Sequence, residues 1–383
     1  MKIEQRLWKE DGGWESIPTE LVDRNSADLV LAFGARTELS NGARFNELKA
    51  FYPNATIVTC STAGEIIDGR VLDDTIVATA IAFDATRHRS ACIRVASIEE
   101  SRKAGETLIA ELLEDDLRHV LVFSDGQCVN GTQLVTGLTT ALPNHIQVTG
   151  GLAGDAARFQ LTLVGLDFAP LPRQVVAIGL YGDAIRVGSG SRGGWDSFGQ
   201  DRVITKSKDN VLYELDGHSA LDLYKQYLGE MAAVLPGAAL LFPLSVKVNN
   251  YDPVVRTILS IDEEAKSMTF AGDMPQGALA RLMKANFDRL VDAAYVAAES
   301  SMEKIGASEP ELAILISCVG RKLVLDDRIE EEVETVREVV GKRANICGFY
   351  SYGEISPFTP NARCELHNQT MTITTLREEL VKA

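Results

Sequence analysis

No two of the six cysteines, at positions 60, 92, 128, 318, 347 and 364, form a C-x-x-C pair. A structural zinc knuckle, a thioredoxin-type redox pair and a c-type haem attachment are therefore unsupported. No apolar run approaches the roughly 18 residues of a spanning helix. Met1 to Glu15 is charged and has no apolar core, so it does not read as a signal peptide. The expectation is a cytoplasmic protein with reduced thiols. Basic residues are scarce: 38 Lys and Arg face 54 Asp and Glu, for a formal charge of −16. Nucleic acids and anionic membrane surfaces are bound through many Lys and Arg contacts, so neither partner suits this chain. No basic stripe interleaved with aromatics occurs, and no Walker A, G-x-S-x-G or H-E-x-x-H pattern.

What is present is ordinary globular material. Apolar residues make up 45% and charged residues 24% of 383 positions, enough for two domains. Short apolar runs such as Ala27–Phe33, His119–Ser124 and Leu312–Cys318 predict buried strands. Ile76–Phe83 and Ala91–Val95 predict a meander, and Gln160–Leu166 a further strand. Helical spacing of apolar residues follows several of them. Met283, Phe287, Leu290, Val291, Ala294, Ala298 and Met302 predict one long helix. Ile329, Val333, Val336 and Val340 give the narrow apolar stripe of an acidic helix, with Glu330, Glu331, Glu332 and Glu334 mainly on its solvated face.

Gly188-Ser189-Gly190-Ser191-Arg192-Gly193 matches G-x-G-x-x-G, but Gly194 to Gly199 is a poor helix start, so it predicts a mobile loop or hairpin rather than a dinucleotide site. The pattern strand, turn, helix, strand, glycine occurs before Gly150-Gly151 and again before Gly348. The prediction is a mixed α/β fold of two related modules, 1–205 and 206–383, with mixed β-sheets covered by helices.

Two kinds of strand exit draw attention. Ser124–Gly131 lies between a strand and a helix, where backbone N–H groups hold anions; the commoner role is an ordinary turn with Asn130 or Thr132 as helix cap. In the last third, Cys318 and Arg321 follow one strand, Tyr350, Tyr352 and Glu354 sit in an aromatic and glycine-rich stretch, and His367 and Asn368 precede another strand. If those strands are neighbours, their loops converge on a pocket with aromatic walls, polar anchors and one imidazole, which suits a small molecule.

The chain resembles FIST-domain proteins, with N-terminal and C-terminal modules, over nearly its whole length. The resemblance rests on Cys60-Ser61-Thr62-Ala63-Gly64-Glu65-Ile66, Ser124-Asp125-Gly126, Gly150–Asp155, Ser317–Arg321, Gly348–Ile355 and Leu366–Thr370. It implies a sensor of small ligands such as amino acids, and is similar in particular to the NosP group of haem-binding nitric-oxide sensors. Those act in trans on a histidine kinase or on a cyclic-di-nucleotide enzyme, a diguanylate cyclase or phosphodiesterase. The resemblance thus implies haem b, with His367 as first choice of axial ligand, His218 second and Cys318 as a thiolate alternative. An amino-acid ligand would instead be paired by Arg321 and Glu354. An enzyme with Cys318 as nucleophile and His367 as base is the third reading, ranked last because no orienting group is identifiable. The expectation is a non-enzymatic sensor, with homo-oligomerisation open.

Overall fold

The structure, a computed structural model, describes residues 1–17, 23–235, 237–249, 252–306, 308–358 and 362–379. The predicted apolar runs are strands. Leu29–Gly34 and Leu312–Cys318 are buried throughout, and Leu117–Ser124 at every residue but Arg118. Each is the central strand of its own mixed sheet, buried on both faces as such runs require.

The three sheets repeat one plan. Leu29–Gly34 pairs parallel with Thr56–Ser61 and antiparallel with Ile76–Ala82, which pairs antiparallel with Lys2–Lys9. Leu117–Ser124 stands in the same relation to Gln147–Leu152, Gln174–Tyr181 and Arg87–Arg94. Leu312–Cys318 does so to Asn345–Ser351, Met371–Glu378 and Ile185–Arg192. The two modules thus hold three equivalent sheet units between them. The third was hidden because its first strand, ending at Arg192, is separated from its helix Phe287–Met302 by an inserted subdomain. That insert, from strand Asp196–Lys208 to strand Leu279–Lys284, forms an eight-stranded sheet of its own, and those two bounding strands pair with each other.

The units are laced together. After its second parallel strand each unit sends a short strand into the next sheet. Glu65–Ile67 joins Asn345–Ser351, Val164–Leu166 joins Thr56–Ser61, and Gly353–Pro357 joins Gln147–Leu152. Every sheet therefore both gives and receives a strand, and strands from both sides of residue 205 share sheets. Phe33, Phe123 and Phe349, one from each unit, meet with ring centroids 4.8 to 6.2 Å apart.

Several sequence expectations change. Gly188 and Gly190 lie in the strand Ile185–Arg192, not in a mobile loop. A Cβ on Gly188 would stand 1.7 Å from the Ser301 carbonyl oxygen, and one on Gly190 2.0 Å from that of Ala297. The glycines let helix Phe287–Met302 lie directly on the strand, which is close packing rather than ligand binding. Met283 lies in the strand Leu279–Lys284 instead of opening that helix, because Asn286 caps the helix, its side chain accepting from the Arg289 N–H. Ile76–Ala82 and Arg87–Arg94 lie in different sheets rather than a meander. Of Gln160–Leu166 only Val164–Leu166 is strand. Glu332 is fully buried, not solvated.

Candidate functional site

The site is built where two equivalent central strands end, the edge at which open α/β sheets hold ligands. Leu117–Ser124 runs into Asp125, whose buried carboxylate accepts the N–H groups of Gln127, Cys128 and Arg173, each at 2.7 Å. This fixes the loop and presents Asn130 as the cap of helix Gly131–Thr140, accepting from the Gln133 N–H at 3.0 Å. The capping role anticipated for Asn130 is thus the one it fills. Its amide also donates to Asp273 of the insert at 3.0 Å, and so does that of Gln133. Leu312–Cys318 runs directly into helix Val319–Leu325, and the Cys318 N–H donates to the Thr370 carbonyl at 3.1 Å.

Between these two exits and the insert lies a cavity of about 500 Å³, within the size range of small-molecule sites. The second unit contributes Val129, Asn130 and Leu152; the third contributes Cys318, Gly320 and Tyr352; the insert supplies Thr257, Ile258, Leu259 and Phe270. Tyr352 stacks on Phe159 at 4.6 Å and 19° between ring planes. Its hydroxyl accepts from the Phe159 N–H and donates to the Ala156 carbonyl, both at 3.1 Å. Burial pushes this phenol up to about 12, so it remains a donor.

Of the predicted site residues, Cys318 and Tyr352 line the cavity and the others do not. The strands are neighbours as anticipated, but their side chains are largely committed to one another. Arg321 is fully buried and paired with Glu332 at 2.7 Å, and it also donates to the carbonyls of Gly193 and Leu290. Tyr350 donates to the same Glu332 at 2.9 Å. Glu354 accepts from Ser351 Oγ at 2.6 Å and from Thr370 N and Oγ1 at 3.2 and 2.9 Å. Burial raises its carboxyl to about 7. Arg321 and Glu354 are therefore not free to pair the ends of an amino acid.

Glu354 has a counterpart. Glu65, which opens the strand donated by the first unit, accepts from Thr62 and from Thr75 N and Oγ1, and burial raises it to about 7 as well. Two units thus close their strand exchange with the same buried staple of a carboxyl and two threonine or serine hydroxyls. In the second unit Asp155 is held instead by Arg36 and Arg158, at 2.9 and 2.7 Å.

His367 is buried and its Nε2 lies 2.9 Å from the Ser356 carbonyl oxygen, so it serves as the donor there. Burial lowers its pKa to about 4. Because the ring is not on the cavity wall, His367 does not fit as an axial ligand to a haem held in that cavity. His218 is exposed on a two-residue strand and does not line the cavity either. Cys318 is the one expected iron ligand on the cavity, and burial raises its thiol. Its thiol and the His367 imidazole do not form a hydrogen-bonded dyad.

Asn368 and Gln369 are fully buried, and both amide atoms of each are without a partner. Gln369 adopts φ +63° and packs its amide against Gly320 of the cavity wall, where a Cβ would come within 2.3 Å. Asn368 was anticipated; Gln369 was quoted only as part of its motif. Sequence reasoning missed Thr257, Phe159 and the whole contribution of the insert, since nothing in their local pattern points to the strand exits they cover.

A mixed α/β fold with a chamber at its strand exits defines a protein built to enclose a small molecule. The chain belongs to the FIST family: the FIST N domain matches residues 28–218 and the FIST C domain residues 220–357. FIST domains mark small-ligand-binding sensors of signal transduction, which generally signal to partner proteins. No curated protein matches the chain. Among solved structures, the crystal structure of cyanuric acid hydrolase from A. caulinodans is 11% identical and covers 77% of this chain and 100% of its own, with a TM-score of 0.19. That likeness is too slight to bear on fold or chemistry. Among the described residues no helix is long and apolar enough to cross a membrane.

Proposed function

We propose that this protein is a non-enzymatic, cytoplasmic sensor that binds its small ligand in the cavity between the second unit, the third unit and the insert. The carrying observation is the 500 Å³ chamber itself, walled by three separate parts of the chain. A ligand there touches the insert and two sheet units at once, so occupancy changes how the insert is held against them. Binding shifts the population toward the arrangement it contacts best, and a separate protein, a histidine kinase or a cyclic-di-nucleotide enzyme in trans, reads that arrangement. Asn130 and Gln133 on Asp273 are the polar hinge between insert and units.

The test uses Leu259→Trp. Leu259 is an exposed residue of the insert on the cavity wall, so a larger side chain fills the chamber without entering the core. A compound that raises the melting temperature of the native chain is expected to have no effect on the variant. Equal shifts in both proteins would place the ligand elsewhere and end the proposal.

A second reading adds haem and nitric oxide, favoured by the position of Cys318 on the cavity wall. Haemin titration is then expected to give a Soret band that responds to nitric oxide and is lost in Cys318→Ala. A chain that stays colourless removes the haem form and leaves the sensor.

A further inference from the structure

The cavity walls say what kind of molecule they accept. Among the described residues lining the chamber there is no Asp, Glu, Lys, Arg or His. In a chain with 24% charged residues that is a marked exclusion. The neighbouring cavity of about 230 Å³, on another face of helix Gly131–Thr140, is lined by Asp252, Arg256, Asp273, Arg363 and Glu365. The two chambers differ in charge although the same helix borders both. An ionic group taken into the neutral chamber would lose its water and find no counter-charge on the wall.

Two further features define the occupant. Phe159 and Tyr352, stacked on each other, offer an aromatic wall on which the Phe159 ring is the more exposed. Flat aromatic bodies are favoured against such faces. One polar group beside the wall is unspent: Thr257 is nine-tenths buried, and its Oγ1, turned away from the chamber, has no hydrogen-bond partner until the side chain rotates about χ1 toward a ligand. A buried hydroxyl left unpaired costs free energy that a ligand polar atom recovers.

Resting on the cavity reading above, we infer that the ligand portion held inside this chamber is an uncharged, flat, aromatic or heterocyclic group with a hydrogen-bonding edge that meets Thr257. A free amino acid carries its zwitterion beside its side chain and is expected to bind more weakly than the same side chain without it.

The experiment titrates the full chain with N-phenylnaphthylamine, a neutral flat probe that fluoresces in apolar surroundings, and follows its displacement. Saturable binding is expected, weakened at least tenfold by Leu259→Trp. Indole is expected to displace the probe, and tryptophan, the same ring carrying a zwitterion, to be at least tenfold weaker. Thr257→Val is expected to weaken indole several-fold while leaving unfolding by denaturant unchanged. Tryptophan as effective as indole, with Leu259→Trp still blocking the probe, would overturn the uncharged class and leave the cavity in place. Probe binding indifferent to Leu259→Trp would overturn the cavity reading itself. Absence of probe binding to the native chain would overturn the aromatic assignment.

Discussion

Single residues here are often conspicuous in sequence for reasons other than ligand binding. Arg321 is the clearest case: a guanidinium in a glycine-flanked turn looks like an anion receptor, yet its charge is spent on Glu332 with neither residue reaching solvent. Removing the cation leaves a buried carboxylate unpaired, so Arg321→Met is expected to destabilise the fold by about 3–5 kcal/mol in chemical denaturation. Arg321→Met with Glu332→Leu is expected to recover only part of that loss, because the buried hydroxyls of Ser317 and Tyr350 then have no acceptor. Asn368 and Gln369 show the reverse situation, with buried amides that have nothing to bind. Asn368→Leu is accordingly expected to hold or raise stability, by about 1 kcal/mol; a clear loss would show that a water or ligand satisfies the amide. Glu354 carries a pH signature. Its carboxyl titrates near 7 when folded against an ordinary 4.5, so between these values the folded chain keeps a proton the unfolded chain has lost. Stability from this group is present below about 4.5 and falls as pH rises to 7, by at most about 1.36 kcal/mol per pH unit. Glu354→Gln has no such proton to lose, and is expected to gain on the native chain across that window and to run parallel to it above. His367 works against this trend, since its folded pKa near 4 makes the unfolded chain protonate first as pH falls below 6.5. Glu65 adds to the slope of Glu354 and His119 to that of His367, so the native profile is a sum and only the variant isolates Glu354.

At the scale of elements, the buried central strands were legible because a strand covered on both faces must be apolar at every position, and few other structures produce such a run in six to eight residues. The helices were legible where their stripe was regular. Boundaries failed where a tertiary contact outweighed local pattern. Met283 fits the spacing of the helix beyond it, but Asn286 supplies a cap that starts the helix later. Glu332 is one of four glutamates within residues 330–334, and nothing local distinguishes the one that meets Arg321 and Tyr350 from the three that do not. The glycines of Ile185–Arg192 carried a misleading signal, since a glycine can serve a turn, a phosphate or a helix lying close. Only the carbonyls of Ala297 and Ser301 show which. Gly190→Val is therefore expected to push helix Phe287–Met302 off its strand and to lower stability by about 1–3 kcal/mol, the usual range for an overpacked interface. Of the candidate site, two walls were legible, one through the loop Ser124–Gly131 and one through Cys318 and Tyr352. The third wall was not, because the insert reaches the strand exits only through the chain's overall path.

The whole molecule is governed by the closed exchange of strands. Cutting between residues 205 and 206, where sequence composition suggested a boundary, leaves the first sheet intact but separates partners in each of the others. Glu65–Ile67 loses Asn345–Ser351, Gln147–Leu152 loses Gly353–Pro357, and Ile185–Arg192 loses Met371–Glu378. Each loss exposes a strand edge whose backbone groups then lack partners and invite aggregation. The three phenylalanines at the centre are also divided, Phe33 and Phe123 from Phe349. Neither half retains a complete unit set, so 1–205 and 206–383 are expected to be insoluble or unfolded when expressed alone. Co-expressed, they are expected to assemble into one complex with the circular dichroism of the intact chain. The intact chain, by the same argument, is expected to lose its three interlaced sheets in a single denaturant transition, followed by Phe and Tyr absorbance and by backbone dichroism together. The insert pairs its own two bounding strands and has its own core around Leu212, Tyr224 and Phe270, so it alone can melt separately. A ligand in the chamber bridges insert and units, and is expected to merge those two transitions into one. If either half folded alone to a stable monomer, the lacing would not be what holds the sheets together.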